Sequence, residues 1–164
     1  MDFIMQKPAT LRGYALHRIA AGLANGDKVL FADCGDHLLL RSSKPLNAEQ
    51  RPIRTIIVGA IIGFELRACV GKKVQGQHRY FHLSDWRSRH EWLERQGTTH
   101  GFTLISIHCT AEMQTVNAGE RKFRVDQTDF TGVLKVTDVA RFNNAVANGV
   151  GNKARAFGFG MLVI

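Results

Sequence analysis

The chain has 164 residues, which is enough for one domain or two very small ones, and either can bury a hydrophobic core. With 45% hydrophobic and 22% charged residues, its composition is that of ordinary globular proteins and excludes a disordered chain. Lys and Arg number 22 against 14 Asp and Glu, and the resulting net charge of +8 favours a polyanionic partner, most often a nucleic acid.

The first fifty residues predict the order strand, helix, strand, strand. An apolar segment at 3–5 predicts the first strand, and helical spacing follows from Thr10, which can cap a helix that ends at Gly26. Two apolar runs, 28–32 and 37–41, flank an Asp/Gly turn and predict a hairpin. The polar segment 42–52 contains two prolines and predicts a linker.

The remaining residues predict a fuller set of elements. The first of these are strands at 54–58 and 63–70, a basic loop at 71–78, and a helix that is capped by Ser84 or Asp85 and stopped by Gly97. A strand at 102–110 follows, with a weaker extension over 112–120 that ends in an Asn-Ala-Gly turn, and the chain returns through 122–129 into a strand at 130–136. The last elements are a helix from Asp138 to Gly149 and a strand at 161–164.

From Gly63 onward this order is β-α-β-β-α-β, the ferredoxin-like pattern. The first part begins the same pattern but skips its second helix. We therefore predict an α+β fold of two tandem ferredoxin-like units, an abbreviated one in residues 1–58 and a complete one in residues 59–164.

The last sixteen residues, GVGNKARAFGFGMLVI, contain four glycines around two cations. Glycine permits positive φ and close approach to the main chain, and cations between glycines suit an anionic partner. The spacing matches neither a Walker loop nor a dinucleotide-binding motif, because no Gly-Lys-Ser/Thr is present and the segment precedes a strand. The segment predicts a phosphate-backbone cradle; the alternative is a glycine-rich turn before an edge strand.

The residues favour no metal site and no disulfide framework. The acidic residues are scattered, His78 and His82 lack the Glu of a zinc protease motif, and no G-x-S-x-G motif is present. Cys34, Cys69 and Cys109 lie far apart with no C-x-x-C pair, which favours a reducing compartment. Because no transmembrane run and no signal-peptide pattern is found, we expect a cytoplasmic protein.

One chemistry that needs no metal is RNA cleavage by the 2′-hydroxyl. The enzyme then has only to orient the hydroxyl, move protons and offset charge on the phosphate. Tyr14, His17 and Arg18 suit these tasks, since their spacing makes them neighbours on one helix, away from its apolar stripe; Lys122 and Arg124 are further candidate cations. The alternative for His17 is an ordinary surface histidine.

Five ordered segments resemble the CasE family of CRISPR-associated RAMP proteins, which cut precursor CRISPR RNA. They are Tyr-Ala-Leu-His at 14–17, Phe-Ala at 31–32 with Leu-Leu-Leu-Arg-Ser at 38–42, Phe-Glu-Leu-Arg-Ala at 64–68, F-x-G-x-L-x-V-x-D at 130–138, and the glycine-rich end. The chain departs from the family in being shorter, in carrying Cys69-Val70 where Asn-Pro is usual, and in carrying Phe159 where many members have Cys.

The resemblance implies a metal-independent endoribonuclease without a cofactor. It would cut at the base of a repeat hairpin, leave a 2′,3′-cyclic phosphate and a 5′-hydroxyl, and keep the guide RNA in a complex with other subunits. His17 would act as acid or base, Tyr14 as its neighbour, and Lys122, or else Arg124, as the cation at the phosphate. Expected RNA contacts are Arg18, Arg124, Gly149, Gly151, Asn152, Lys153, Arg155, Gly158 and Gly160.

Two alternatives to the enzyme stay open. The chain could be a non-catalytic RNA-binding RAMP subunit, since RAMP folds serve both roles; such a subunit has no need of the Tyr14 and His17 pair. A third interpretation is a small basic domain that binds proteins, in which case RNA affinity would not fall with salt in proportion to the phosphates contacted. Lys72, Lys73, Arg79, Arg87 and Arg89 form either a second RNA surface or a solvated face.

Overall fold

The computed structural model describes residues 1–8, 10–118 and 121–164. In these ranges the elements are β1 Asp2–Gln6, α1 Tyr14–Leu23, β2 Val29–Asp33, β3 His37–Ser42, β4 Glu49–Arg51, β5 Ile61–Ala68, β6 Lys72–Val74, β7 Gln77–Arg79, α2 Trp86–His100, β8 Phe102–Ala118, β9 Arg121–Val136, α3 Val139–Asn148, a 3₁₀ turn Arg155–Phe157, and β10 Leu162–Val163. None of the helices described is long and apolar enough to cross a membrane.

The first sheet is antiparallel with the strand order β2-β3-β1-β4, and α1 covers one of its faces. Leu16 and Ala20 of α1 are buried against Phe3, Leu38 and Leu40. The predicted hairpin is confirmed as β2 and β3. Residues 43–48 join β3 to β4 without a helix, as expected for an abbreviated unit.

Two details of the first unit differ from the sequence predictions. The helix begins at Tyr14 after Gly13, with no side-chain cap, so the cap predicted at Thr10 is wrong. The predicted linker is also wrong in part, because Glu49–Arg51 pairs with β1, where Asp2 lies opposite Arg51. A short polar strand at a sheet edge has no hydrophobic alternation by which to recognise it.

The second sheet has the order β10-β5-β9-β8, and α2 and α3 pack on one face. This is the complete β-α-β-β-α-β arrangement, so the predicted tandem ferredoxin-like fold is confirmed. Trp92 of α2 stacks on Phe130 of β9, with ring centroids 6.0 Å apart. Asp85 and Asp138 cap their helices as predicted, accepting hydrogen bonds from the backbone N–H of Ser88 and Arg141.

Three predictions for the residues after the predicted linker are wrong. Residues 54–58 form no strand, and the basic segment predicted as a loop is the hairpin of β6 and β7. Gly97 lies inside α2, which ends at His100 and is capped by Gly101 with φ of 75°. The strand predicted at 102–110 does continue into its predicted extension, forming one strand, β8, as far as Ala118; the predicted Asn-Ala-Gly turn includes Gly119, which lies outside the described residues.

A buried ion pair joins the first sheet to the second unit. Arg41 Nε lies 2.6 Å from Asp2 Oδ1, and Arg41 Nη1 donates to the carbonyl oxygens of Val146 at 2.9 Å and Leu162 at 2.8 Å. Both side chains are almost fully buried, so the pair fixes the start of β10 and the last turn of α3 against β1 and β3. The division predicted after residue 58 falls between β4 and β5.

Candidate RNA interface and active site

The side chains of Tyr14 and His17 lie together on the first turn of α1. Their ring centroids are 5.3 Å apart. Tyr14 is 37% exposed, and His17 is half-buried with its ring 6.5 Å from that of Phe31 on β2. The helix has no acidic residue in its first turn, so its unpaired N–H groups and positive dipole end remain available to an anion.

An aromatic row runs from Tyr14 to the β8–β9 hairpin. Tyr14 lies 6.2 Å from Phe157 in the glycine-rich loop, and Phe157 lies 5.5 Å from Phe123 on β9, centroid to centroid. Phe123 is 41% exposed. Sequence reasoning missed both phenylalanines, although an exposed aromatic residue between basic neighbours, as in Lys122-Phe123-Arg124, is a usable signal for nucleic-acid binding.

Three glycines of the glycine-rich loop are buried, and their role is close packing. A Cβ on Gly149 would lie 2.6 Å from the Gly160 carbonyl oxygen, one on Gly160 would lie 2.9 Å from the Val150 carbonyl oxygen, and one on Gly158 would lie 2.9 Å from Cε2 of Phe31. The main chain at these three positions is covered by protein. For them the structure favours the simpler alternative of a tightly packed turn over direct RNA contact. Gly151 is half-exposed.

Arg155 also turns inward. Its Nε donates to the Gly151 carbonyl oxygen at 3.1 Å, and its terminal nitrogens donate to the carbonyl oxygens of Asn148 and Gly151. Burial lowers the pKa of the Arg155 guanidinium. This side chain therefore stabilises the loop, whereas Asn152 and Lys153 are exposed at its tip and are free to meet a ligand.

Lys122 and Arg124 are exposed but point away from Tyr14 and His17. Side chains alternate between the two faces of a strand, and Phe123 faces the aromatic row. Lys122 and Arg124 therefore share the opposite face with Asp126, whose carboxylate is held by Arg89 of α2. The structure does not bring the predicted catalytic cation to the histidine. Arg18, one turn along α1 from Tyr14, is exposed beside it.

A basic face forms around Lys122 and Arg124. Tyr80 Oη donates to the Arg124 carbonyl oxygen at 3.4 Å, which places the β6–β7 hairpin beside β9. Lys153 is close enough to this hairpin that its charge adds to burial in lowering the pKa of His78. The basic face consists of six cations of the β6–β7 hairpin, β9 and the glycine-rich loop that are exposed among the described residues: Lys72, Lys73, Arg79, Lys122, Arg124 and Lys153.

Arg89 is excluded from the predicted second RNA surface because it is fully buried. Its Nη2 lies 2.7 Å from Asp126 Oδ2, and its Nη1 also donates to Thr128. The ion pair between Arg89 and Asp126 holds α2 on β9.

A groove of about 550 Å³ is lined by Tyr14 and Phe157 of the aromatic row. It lies between the start of α1, the glycine-rich loop and the β8–β9 hairpin, and neither Lys122 nor Arg124 lines it. Within the described residues no group of three or more His, Cys, Asp or Glu side chains could hold a metal ion.

Comparison with known proteins gives both a family and a fold. The family model described as CRISPR associated protein matches residues 34–164. Among curated proteins none matches this sequence. Three solved structures are similar to the chain in fold, and because each is under 25% identical to it, their likeness shows the fold alone.

The first is Thermus thermophilus Cse3 bound to an RNA representing a pre-cleavage complex, 19% identical over 99% of this chain and 96% of that one, with a TM-score of 0.79. The second is the CRISPR-associated protein Cas6e from Escherichia coli str. K-12, 21% identical over 99% of this chain and 98% of that one, with a TM-score of 0.76. A chain of the E. coli Cascade bound to a PAM-containing dsDNA target is 20% identical over 99% of this chain and 96% of that one, with a TM-score of 0.65.

Proposed function

The chain belongs to the CRISPR-associated protein family whose model spans residues 34–164, and we propose that it is a metal-independent endoribonuclease that matures CRISPR RNA. The observation that carries this proposal is the contact between Tyr14 and His17 at the uncapped start of α1. A histidine beside a tyrosine, at a helix end that attracts anions, meets the needs of phosphodiester cleavage by a 2′-hydroxyl.

The reaction needs no group that the chain lacks. The 2′-oxygen attacks phosphorus and gives up its proton, and the bond from phosphorus to the 5′-oxygen breaks as that oxygen takes a proton. The products are a 2′,3′-cyclic phosphate and a 5′-hydroxyl. His17 acts as acid or base in one of these transfers, and Tyr14 positions the phosphate or supplies the other proton.

The charge that grows on the phosphate is offset near the helix start. Lys122 and Arg124, which the sequence favoured for this task, lie on the opposite face of β9, so we assign it to the N-terminal end of α1 and to Arg18. Lys122, Arg124 and Lys153 instead bind the RNA backbone on the basic face.

The product stays bound and joins a larger complex in this proposal. The basic face, the net charge of +8, and the likeness to Cse3 bound to RNA and to a chain of Cascade support RNA and further subunits as partners. The working units are residues 1–58, with the reacting pair, and residues 59–164, with the basic face.

Cleavage of the labelled hairpin RNA of its own CRISPR repeat, in EDTA, tests the proposal. We expect cutting at one position, a 2′,3′-cyclic phosphate on the product, and no cutting when the nucleotide before the cut is 2′-deoxy. Cleavage only after a divalent metal is added would contradict the metal-independent mechanism. Tight binding with no cleavage under either condition would favour the alternative of a non-catalytic RNA-binding subunit.

A further inference from the structure

We infer that the groove beside Tyr14 binds one unpaired nucleobase with an exocyclic amino group, from the RNA next to the cut, an inference that rests on the proposed endoribonuclease function. Tyr14 forms a wall of the groove and also contacts His17, so the groove adjoins the reacting phosphate. Its volume of about 550 Å³ accommodates a base with its ribose.

Two kinds of surface meet in this groove. Tyr14, Phe157 and Phe159 supply aromatic surface, while Glu112, Gln114 and Gln127 supply polar groups from the β8–β9 hairpin. Proteins that read single-stranded RNA stack its bases on aromatic side chains and hydrogen-bond the edges of those bases. The groove therefore contains both an aromatic surface for stacking and side chains that can hydrogen-bond the edge of a base.

The side chains of Glu112, Gln114 and Gln127 present acceptors and few donors to the groove. Glu112 Oε1 accepts hydrogen bonds from Gln114 Nε2 at 2.6 Å and from Gln127 Nε2 at 3.2 Å. Gln127 Nε2 also donates to Asp129 Oδ2 at 3.0 Å. Gln127 Nε2 has both hydrogens engaged by carboxylates and Gln114 Nε2 has one engaged, so the groups left for a ligand are mainly acceptors, the carbonyl oxygens of both glutamines and the second oxygen of Glu112.

Glu112 also differs from its acidic neighbours in having no cation partner. Asp33 lies 3.2 Å from Lys7 Nζ, and Asp129 lies 2.7 Å from Arg67 Nε, whereas Glu112 forms no ion pair within the part of the chain that the structure describes. Arg67, the cation whose charge reaches Glu112, is already paired with Asp129, and a carboxylate with no ion pair of its own repels a phosphate. In a protein of charge +8 that binds RNA, this wall therefore suits a base edge and not the backbone.

The acceptor wall also limits which base it can hold. Adenine, cytosine and guanine each carry an exocyclic amino donor, and a carboxylate accepts well from such a group. Uracil offers a carbonyl oxygen at the corresponding position, which faces the Glu112 carboxylate unfavourably. Arg12, exposed at the rim of the groove, is placed to contact the phosphate of the same nucleotide.

The test uses the repeat hairpin RNA with single substitutions at each of the three nucleotides on either side of the cut, by an abasic residue or by uracil. For the native chain we expect one position at which both changes weaken binding about tenfold. Glu112→Gln should remove the discrimination against uracil, because its amide can donate to the uracil oxygen. The control Glu94→Gln, an exposed site on α2 with the same loss of charge, should keep it.

The outcomes separate this inference from the proposed function. If the native chain neither binds nor cuts the unmodified RNA, the proposed function fails. If it binds and cuts, but every substituted RNA binds within about twofold of the unmodified one, or the sensitive position prefers uracil, the base site is overturned and the enzyme stands. The RNA substitutions are measured on the native chain, so a variant that fails to fold does not affect this result.

Discussion

Replacing Gly158 by Ala should destabilise the fold by about 2–5 kcal/mol. Gly158 has φ of 84°, where an alanine costs about 1–2 kcal/mol. The new Cβ would also lie 2.9 Å from Cε2 of Phe31, which is 3% exposed and cannot move into solvent, and such overpacking costs about 1–3 kcal/mol.

Gly26 provides a matched control. It has the same φ of 84°, but a Cβ there meets no atom within 4 Å. Gly26→Ala should therefore cost only the backbone term, about 1–2 kcal/mol. Urea unfolding of both variants measures the difference, which we expect to be about 1–3 kcal/mol.

The Gly158→Ala variant should also lose activity in its folded fraction. The Phe31 ring that must yield lies 6.5 Å from the His17 ring, so displacing it moves the histidine. Single-turnover cleavage at saturating protein should fall on the order of tenfold or more, since small misplacements of reacting groups are costly. Equal stability of the two variants, with full activity at Gly158→Ala, would refute this explanation of why the loop needs glycine.

Three further predictions concern the second unit. Arg89→Met leaves Asp126 buried without its cation and should cost about 3–5 kcal/mol in urea unfolding, whereas the exposed Arg87→Met should cost under about 0.5 kcal/mol. Lys153→Gln should weaken RNA binding for every sequence and lower the slope of log affinity against log salt by about 1, with cleavage at saturation unchanged. Burial, with the nearby Cys69 thiol, raises the pKa of Tyr80 from 10.0 to about 12. The folded state therefore holds the Tyr80 proton more tightly than the unfolded state does. The stability that this difference contributes is lost as the pH rises from about 10 to about 12. Unfolding measured across this range should show that loss in the native chain, and Tyr80→Phe should remove it.

Elements that end at a turn or a capping side chain could be predicted from the local sequence. The Asp/Gly turn of the first hairpin and the capping side chains of Asp85 and Asp138 act within a few residues, so they can be identified from the sequence. Long-range packing decided the failures. Position 97 lies inside the helix and needs glycine because the Phe102 carbonyl oxygen would lie 2.6 Å from a Cβ there, a contact that exists only in the folded chain.

The segment 54–58 shows the limit of β-propensity. Its β-branched residues predict a strand, but no sheet edge receives them, and Ile57 and Val58 remain 65% and 66% exposed. A turn at Gly59, whose N–H donates to the Val136 carbonyl oxygen at 2.8 Å, instead leads the chain into β5.

In the candidate site, too, the local contacts were predictable and the long-range contacts were not. One turn of helix brings Tyr14 and His17 together, so their contact was predictable from spacing. The face that Lys122 occupies depends on the register of a long hairpin, and the approach of Phe157 to Tyr14 depends on how the loop folds across both sheets. Neither relation is encoded in neighbouring residues, so the sequence could not select the cation or find the groove.

The single-turnover rate of cleavage in EDTA for His17→Ala tests whether His17 transfers a proton in the reaction. His108, exposed on β8 and far along the chain from the pair, gives the matched control His108→Ala. We expect His17→Ala to lose at least about 100-fold in rate while its RNA affinity stays within about twofold, and His108→Ala to keep both. Cleavage by His17→Ala at the native rate would contradict the account.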